Sequence, residues 1–403
     1  MQKLHISRLG LKGDGITDAD QFIPFALPGE AFEGDFVKGV FKGTRLSDSP
    51  ARIAPVCSHF GTCGGCALQH ASDEFLAAWK AEAILRALSA QGLSAPFRPT
   101  TTSPPQSRRR ATFSCRRTKK TTQVGFHKRG SEDILPLTEC HLLSPDLMAA
   151  VPACQALTVL GASRKGEIKI SVTQSATGLD VNVLEAKELD GPLRARLASL
   201  AGEYNLARLG WNGEQIADRT RPVQTMGKAD VLPPSGAFLQ ATAHGQAALV
   251  AAMQEAVHGA KRVLDLFAGC GTFALPLAEH AEVHAVEGEA DMLKALDTGW
   301  RFAKGLKTVT TETRDLFARP LVPQELRKFD AVVIDPPRAG AKAQMEEIAA
   351  SDIRLVGAVS CNPISFARDA KILVDAGFTL DWVLPVDQFR WSGHVELAAR
   401  LSR

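Results

Sequence analysis

No stretch of this 403-residue chain approaches the roughly 18 uninterrupted apolar residues that a membrane-spanning helix needs. Its first residues, MQKLHISRLGLKGDG, hold no apolar run of signal-peptide length, so the expected location is the cytoplasm, with no membrane contact. Charge of one sign is also lacking: 47 Lys plus Arg stand against 44 Asp plus Glu, so net charge points to no partner and only local clusters can. There is no internal repeat and no low-complexity tract, which excludes solenoids and disordered linkers as the main architecture. With 45% hydrophobic residues the chain is long enough for two or three packed domains. Its eight cysteines, in a reducing compartment, are candidates for core filling, metal ligation or catalysis before disulfides.

Three compositional regimes follow one another. Residues 1–54 are short apolar runs punctuated by Gly, Pro and Asp, the pattern of a small antiparallel barrel. Residues 55–236 open with a cysteine-dense loop and continue into SDEFLAAWKAEAILRALSAQG. There Leu76, Trp79, Ala83 and Leu88 fall near helical spacing between a cap at Ser72 or Asp73 and Gly92. Further on, Ile168, Ile170 and Val172 face Leu179, Val181 and Val183 across a turn, a hairpin with one buried face. From 237 to 403 apolar strands (RVLDLF, EVHAVE, TVTTET, DAVVID, LVGAVS, TLDWVLPV) alternate with helix-length segments, and HVELAARLS closes the chain. That rhythm predicts a parallel sheet covered on both faces, a doubly wound α/β domain.

Within it, VLDLFAGCGTFALPLA places Gly269, Gly271 and Ala274 between strand and helix in G-x-G-x-x-A spacing, and Glu287 ends the next strand where it can hold ribose hydroxyls. This alone fits a nicotinamide dinucleotide as well as S-adenosylmethionine. Asp335 in AVVIDPPRAG is exposed at the same rim by the two prolines that stop its strand, a substrate-side motif familiar among S-adenosylmethionine-dependent methyltransferases. Cys361 in VSCNPIS follows the next strand and precedes a helix opened by Pro363, where the helix dipole is expected to favour the nucleophilic thiolate. Glu396 lies among apolar residues in the last strand; it is either a poised base or a structural partner of Arg390 or His394.

CSHFGTCGGC spaces Cys57, Cys63 and Cys66 as C-x5-C-x2-C, with Cys140 distant. Four thiolates there fit zinc or an iron–sulfur cluster, and spacing does not separate the two. Cys115, Cys154 and Cys270 have no grouping and read as structural. The segment SRRRATFSCRRTKKTTQVGFHKR carries nine Lys or Arg and no acid between Ser107 and Arg129, with Phe113 and Phe126 beside them, a pattern suited to phosphate contact and base stacking.

DLFAGCGTFALPLA, DPPRAG, SCNPISFARD and GHVE, in that order, resemble the RNA uracil-C5 methyltransferases. The resemblance implies a Rossmann-like methyltransferase domain over 237–403, a TRAM-like or OB-like barrel over 1–54, and an α+β central domain over 55–236 with a [4Fe-4S] cluster on Cys57, Cys63, Cys66 and Cys140. It implies that Cys361 adds to uracil C6 and that Glu396 removes the C5 proton. S-adenosylmethionine would be held by Gln240, Phe267, Thr272, Glu287, Asp315 and Asp335. Thr272, where the family often has Asn, and the missing proline before GHVE depart from the pattern without removing a reactive group. The cluster-bearing branch points to 23S ribosomal RNA, with transfer RNA the nearest alternative and no obligate protein partner. A non-catalytic RNA-binding protein and an iron–sulfur dinucleotide oxidoreductase are the readings from other classes.

Overall fold

The computed structural model describes residues 2–163 and 166–403. Strands Gln2–Leu9, Gly15–Thr17, Phe22–Ile23, Ala31–Val37 and Val40–Ser47 form one antiparallel sheet in the order third, second, first, fourth, fifth. The expected barrel is therefore only half-formed, because Phe22–Ile23 and Val40–Ser47 do not pair with each other. Val40–Ser47 is exposed along almost its whole length, so it has no apolar face with which to close the sheet. The sheet keeps a small core of Leu4, Ile6, Ile23, Ala26 and Phe32. It docks on the rest of the chain through the Trp79 indole N–H, which donates to the Leu9 carbonyl at 3.4 Å, and the Arg129–Asp14 ion pair.

The central sheet has seven strands, in the order Glu214–Asp218, Arg208–Trp211, Gly178–Leu184, Glu167–Ser175, Arg110–Arg117, Thr122–His127, Ile134–Pro136. The hairpin read from the sequence is present with the expected face buried, but its turn is tighter than TQSATG: Ser175 pairs with Gly178, which shifts the register by two residues and sets Ile170 opposite Val183 and Val172 opposite Val181. These side chains are fully buried with Phe113 and Trp211, beneath Leu157 of helix Val151–Gly161 and Leu197 of helix Gly191–Glu203. At about 1.5–3 kcal/mol per buried aliphatic side chain, this face holds the unit together.

Helix Asp73–Ser89 begins where expected, its cap Ser72 accepting from the Phe75 N–H; Ile84, not Ala83, takes the inward place. Ile84 and Leu88 share a core with Leu264, Ile334 and Phe366, and strand Thr101–Thr102 adds to the carboxy-terminal sheet beside Val386 and Asp387. The hairpin Gln224–Met226 and Ala229–Val231 likewise buries Met226 and Val231 with Leu249, Phe273 and Leu296. These pieces, expected with the central segment, thus pack on the carboxy-terminal one. A two-residue strand has no periodicity to reveal its partner.

The carboxy-terminal sheet runs Val309–Thr313, Glu282–Glu287, Arg262–Leu266, Ala331–Ile334, Leu355–Ser360, Glu396–Ser402, Thr379–Asp387, Thr101–Thr102. The first five strands are parallel, as expected. The last strand departs from a purely parallel sheet: Glu396–Ser402 inserts antiparallel between Leu355–Ser360 and Thr379–Asp387. Alternate residues enter opposite cores, Val332 and Ile334 one and Val333 the other, so both faces are covered. Among the described residues no helix is long and apolar enough to cross a membrane.

Candidate active site

Parallel strands ending side by side put their following loops on one rim. Asp335 follows Ala331–Ile334 and Cys361 follows Leu355–Ser360, whose pairing sets Ile334 against Ala358. The antiparallel strand starts at that same rim: Ser360 lies opposite Leu397, so the register continued by one residue sets Cys361 across from Glu396. The loops are fastened to one another. The Arg338 carbonyl accepts from the Asn362 side-chain amide at 2.9 Å and the Ser365 hydroxyl at 3.0 Å, and the Ala341 N–H donates to the Asp369 carboxylate at 2.7 Å. Gly340 is required here, since a Cβ would lie 2.4 Å from the Asp369 carboxylate at a φ of +77°.

The gathering has an electrostatic consequence. Burial, and then Asp335, push the Glu396 carboxyl up to about 8, opposed by a hydrogen bond from Gln388. Burial pushes Asp335 up to about 7. The Cys361 thiol is also raised, by burial and then by Glu396 and Asp335, with Arg338 opposing. The expected helix-assisted thiolate meets opposition: helix Pro363–Asp375 is present with Asn362 at its cap, but burial first, and then the two acids, favour the thiol. Three acids this close resist ionising together, so their protons are shared as a set. Neither Arg390 nor His394 partners Glu396: Arg390 donates to the Ser103 carbonyl at 3.1 Å and to Asp73.

The glycine turn follows Arg262–Leu266, with Phe267, Gly269 and Gly271 all at positive φ. A Cβ at Gly271 would meet Leu275 and Leu296 at 2.9 Å, so the turn closes only on glycine. Glu287 accepts backbone N–H bonds from Gly269 at 3.0 Å and Gly288 at 2.7 Å, locking the end of its strand to the turn. Thr272 is half-buried in the turn; Asp315 is exposed and accepts from the Phe317 N–H at 2.9 Å, while the Phe317 ring lies 5.4 Å from that of Phe267. Gln240 is buried, and its amide donates to Asp335 at 3.3 Å. Asp265, ending the strand below, is fully buried with neither carboxyl oxygen hydrogen-bonded, and burial followed by Asp335 raises it well above the ordinary range.

Beside Glu396 opens a cavity of about 410 Å³ whose lining includes Arg108, Arg110, Phe126, Phe238, Phe389 and Cys140. Arg108 lies over the Phe389 ring at 5.8 Å and Arg110 over Phe238 at 5.5 Å. The basic run does not act as one surface. Arg116, Lys128 and Arg129 are held by Glu167, Asp133 and Asp14, and Arg109 is tethered to the Gln240 carbonyl at 3.0 Å. Phe113 is fully buried and unavailable for stacking; Phe238, 65% exposed beside Arg110, is the aromatic that faces outward.

Among the described residues no group of three or more His, Cys, Asp or Glu is set as a ready metal-ion site. Cys57, Cys63, Cys66 and Cys140 nevertheless line a single cavity of about 30 Å³, walled by Phe60, Phe126, Leu137 and Leu142. Cys140 is brought there by ties between the loop and its own segment: the Ser58 N–H donates to Glu139 at 2.6 Å, and His59 bonds Thr138 at 2.9 Å. Burial comes first in raising Cys57, Cys63 and Cys66, the last to about 12, and Cys140 adds to each. Cys115, Cys154 and Cys270 are buried core residues, as expected.

No protein-family profile matches the chain. A Rhizobium meliloti protein that carries the name uncharacterized RNA methyltransferase is 42% identical over 410 residues, 99% of this chain and 98% of the relative. The 23S rRNA (uracil(1939)-C(5))-methyltransferase RlmD of Shewanella piezotolerans is 32% identical over 428 residues, 98% of this chain and 94% of the relative. The chain belongs to the RNA uracil-C5 methyltransferase family. The solved Pyrococcus abyssi tRNA (uracil-54, C5)-methyltransferase, in complex with S-adenosyl-L-homocysteine, shares the fold, with a TM-score of 0.77 over 99% of both chains at 21% identity.

For a methyltransferase of this family, the sequence reading left out Asp265, Phe238, Arg338 and Gln388. Asp265 had a signal, a lone acid in an otherwise apolar strand, the same signal that singled out Glu396. Gln388 had none, because two of its partners, Gln240 and Thr242, lie in one segment 148 and 146 residues before it.

Proposed function

We propose that this methyltransferase transfers the methyl group of S-adenosylmethionine to C5 of a uridine in RNA, with 23S ribosomal RNA its substrate. The observation that carries the reading is the shared rim of Cys361, Glu396 and Asp335, set by strand register. In this mechanism the Cys361 sulfur, once deprotonated, bonds to C6 and makes C5 enolate-like; C5 takes the methyl group. Glu396 then accepts the C5 proton as the C6–S bond breaks and its electron pair returns to sulfur. A carboxyl raised to about 8 is a stronger base than an ordinary carboxylate, and its ionised fraction grows as pH rises from neutral toward 8.

The chain's own groups fit S-adenosylmethionine. The glycine turn offers close backbone approach, and the orphaned Asp265 carboxyl beneath it lacks a hydrogen-bonding partner. Gln240, Phe267, Thr272, Glu287, Asp315 and Asp335 would hold the molecule. The cavity bearing Arg108, Arg110 and Phe238 would receive the unstacked nucleotide, its phosphates on the arginines and its neighbour on the ring.

Cys57, Cys63, Cys66 and Cys140 would hold a [4Fe-4S] cluster, whose contribution is to crosslink the loop. Four thiols round one apolar cavity are the donor set that such a cluster takes, and the choice of iron–sulfur over zinc rests on the resemblance to the cluster-bearing branch of the family. Cytoplasmic residence accords with thiols kept reduced. Mapping 5-methyluridine in ribosomal and transfer RNA from a deletion strain tests the proposal: loss of one 5-methyluridine in 23S RNA is expected, loss confined to transfer RNA moves the substrate, and no loss overturns the reading.

A further inference from the structure

Gln388 is 2% exposed and all its amide groups are engaged. Its carbonyl oxygen accepts from the Thr242 N–H at 3.2 Å, and because a backbone N–H can only donate, the amide orientation is fixed. Its nitrogen must then donate to the Glu396 carboxylate and to the Gln240 carbonyl oxygen, the latter at 2.7 Å. That fixes Gln240 in turn, whose nitrogen faces Asp335. Two amides therefore link the two carboxyls of the rim, the donors running outward from Gln388: one way directly to Glu396, the other way through Gln240 to Asp335.

The fold makes room for this link at one point. Gly245, in helix Ala243–Ala256, sits so close that a Cβ would lie 2.2 Å from the Gln388 Cγ and 2.5 Å from its Cδ. The segment carrying Gln388 is held from behind by Lys80, which pairs with Asp387 at 2.6 Å and donates to the Phe389 carbonyl at 3.1 Å, all within the protein.

From this geometry we infer that Gln388 is a positioning residue for proton removal: it holds one Glu396 oxygen, leaves the other for the C5 proton, and favours the ionised base. The inference rests on the proposed function, in which Glu396 acts after Cys361 has bonded to C6. Nucleophilic addition and methyl transfer precede that step, and Gln388 bears on them only through its hydrogen bond to Gln240, an effect on S-adenosylmethionine binding that saturating S-adenosylmethionine removes. Losing the amide therefore slows only the elimination, in which the C5 proton passes to Glu396 and sulfur leaves C6. The base is faced by Asp335, Cys361 and His394 near the rim, by Arg108 and Arg110 across the cavity, and by the Lys80–Asp387 pair behind. Of these, none supplies the carboxylate with the hydrogen bond that Gln388 gives.

The test uses full-length Gln388→Met, which keeps length but donates nothing, and Gly245→Ala, which displaces the amide without altering it or weakening the helix. With S-adenosylmethionine saturating, RNA containing 5-fluorouridine should be trapped on both variants at the wild-type rate, since fluorine blocks only the last step. With ordinary uridine RNA, both should accumulate a denaturant-stable protein–RNA adduct and turn over roughly ten- to a hundredfold more slowly. The rise of turnover with pH should move upward by roughly one pH unit. Adduct turnover at the wild-type rate overturns the inference, as does loss of 5-fluorouridine trapping together with turnover, which would mark Gln388 as merely structural. If the wild-type protein itself traps nothing, the proposed function fails and the inference with it.

Discussion

The catalytic rim and the cysteine loop both gather acidic groups from distant parts of the chain, and they do so by different means. At the rim, register does the gathering: neighbouring strands deliver Asp335, Cys361 and Glu396 to one edge, and backbone pairing holds them there before any ligand arrives. The loop from Cys57 to Cys66 contains no strand or helix, and its thiols face Cys140 across a cavity with their protons held by burial. The rim is preorganised by the fold, whereas in the proposed function the loop would be held by a bound group that replaces those protons. The two regions meet at the cavity that Cys140 and Glu396 both line, and also through backbone and side-chain ties. The Ala67 and Leu68 N–H groups donate to the Trp391 carbonyl at 2.9 and 3.0 Å, and Lys80, on the helix that follows the loop, anchors Asp387 just ahead of Gln388.

This contrast can be broken by experiment. The largest effect is expected at the rim: Glu396→Gln should cut turnover roughly 10³-fold or more while the protein stays folded and a covalent RNA adduct accumulates, as gel shift under denaturing conditions would show. Lys80→Met, between the two regions, strands Asp387 as an uncompensated buried charge and should cost about 3–5 kcal/mol, read as a lower denaturant midpoint. An unchanged midpoint would mean that the pair carries no structure from loop to rim.

At the loop, Cys140→Ala should lose iron and expose residues 57–66 to proteolysis while leaving the strand-borne rim able to trap 5-fluorouridine RNA weakly. An iron-free variant with a protected loop and normal methylation removes the distinction altogether. With Glu396 near 8 and ionised as the base, turnover must fall as pH drops; between about pH 8.5 and 6.5 the loss should be roughly twentyfold, measured at saturating RNA. The smallest change is expected from Phe238→Ala, with KM for RNA rising roughly five- to a hundredfold through lost stacking and kcat less affected.

Much of the rim was legible in advance because continuous apolar strands, broken by Pro-Pro after Asp335 and by Asn-Pro after Cys361, announce where loops emerge on a parallel sheet. The antiparallel insertion of Glu396–Ser402 was not, since strand order depends on pairing that hydropathy does not encode. The opposition to a thiolate at Cys361 was not legible because a helix amino terminus is visible in sequence, whereas the burial of the sulfur and its two facing carboxyls are not. The basic run misled for a related reason: alternation in Arg110–Arg117 sends Phe113 inward, and acids far along the chain claim Arg116 and Arg129. The half-barrel was overread because Gly and Asp punctuation predicts strands but not whether the sheet closes.

The account rests most heavily on sulfur at position 361. Single-turnover methylation of uridine RNA by Cys361→Ser protein, followed with methyl-labelled S-adenosylmethionine, tests it directly. No methyl transfer and no covalent complex are expected, with S-adenosylmethionine binding retained; methylation at the wild-type rate would contradict it.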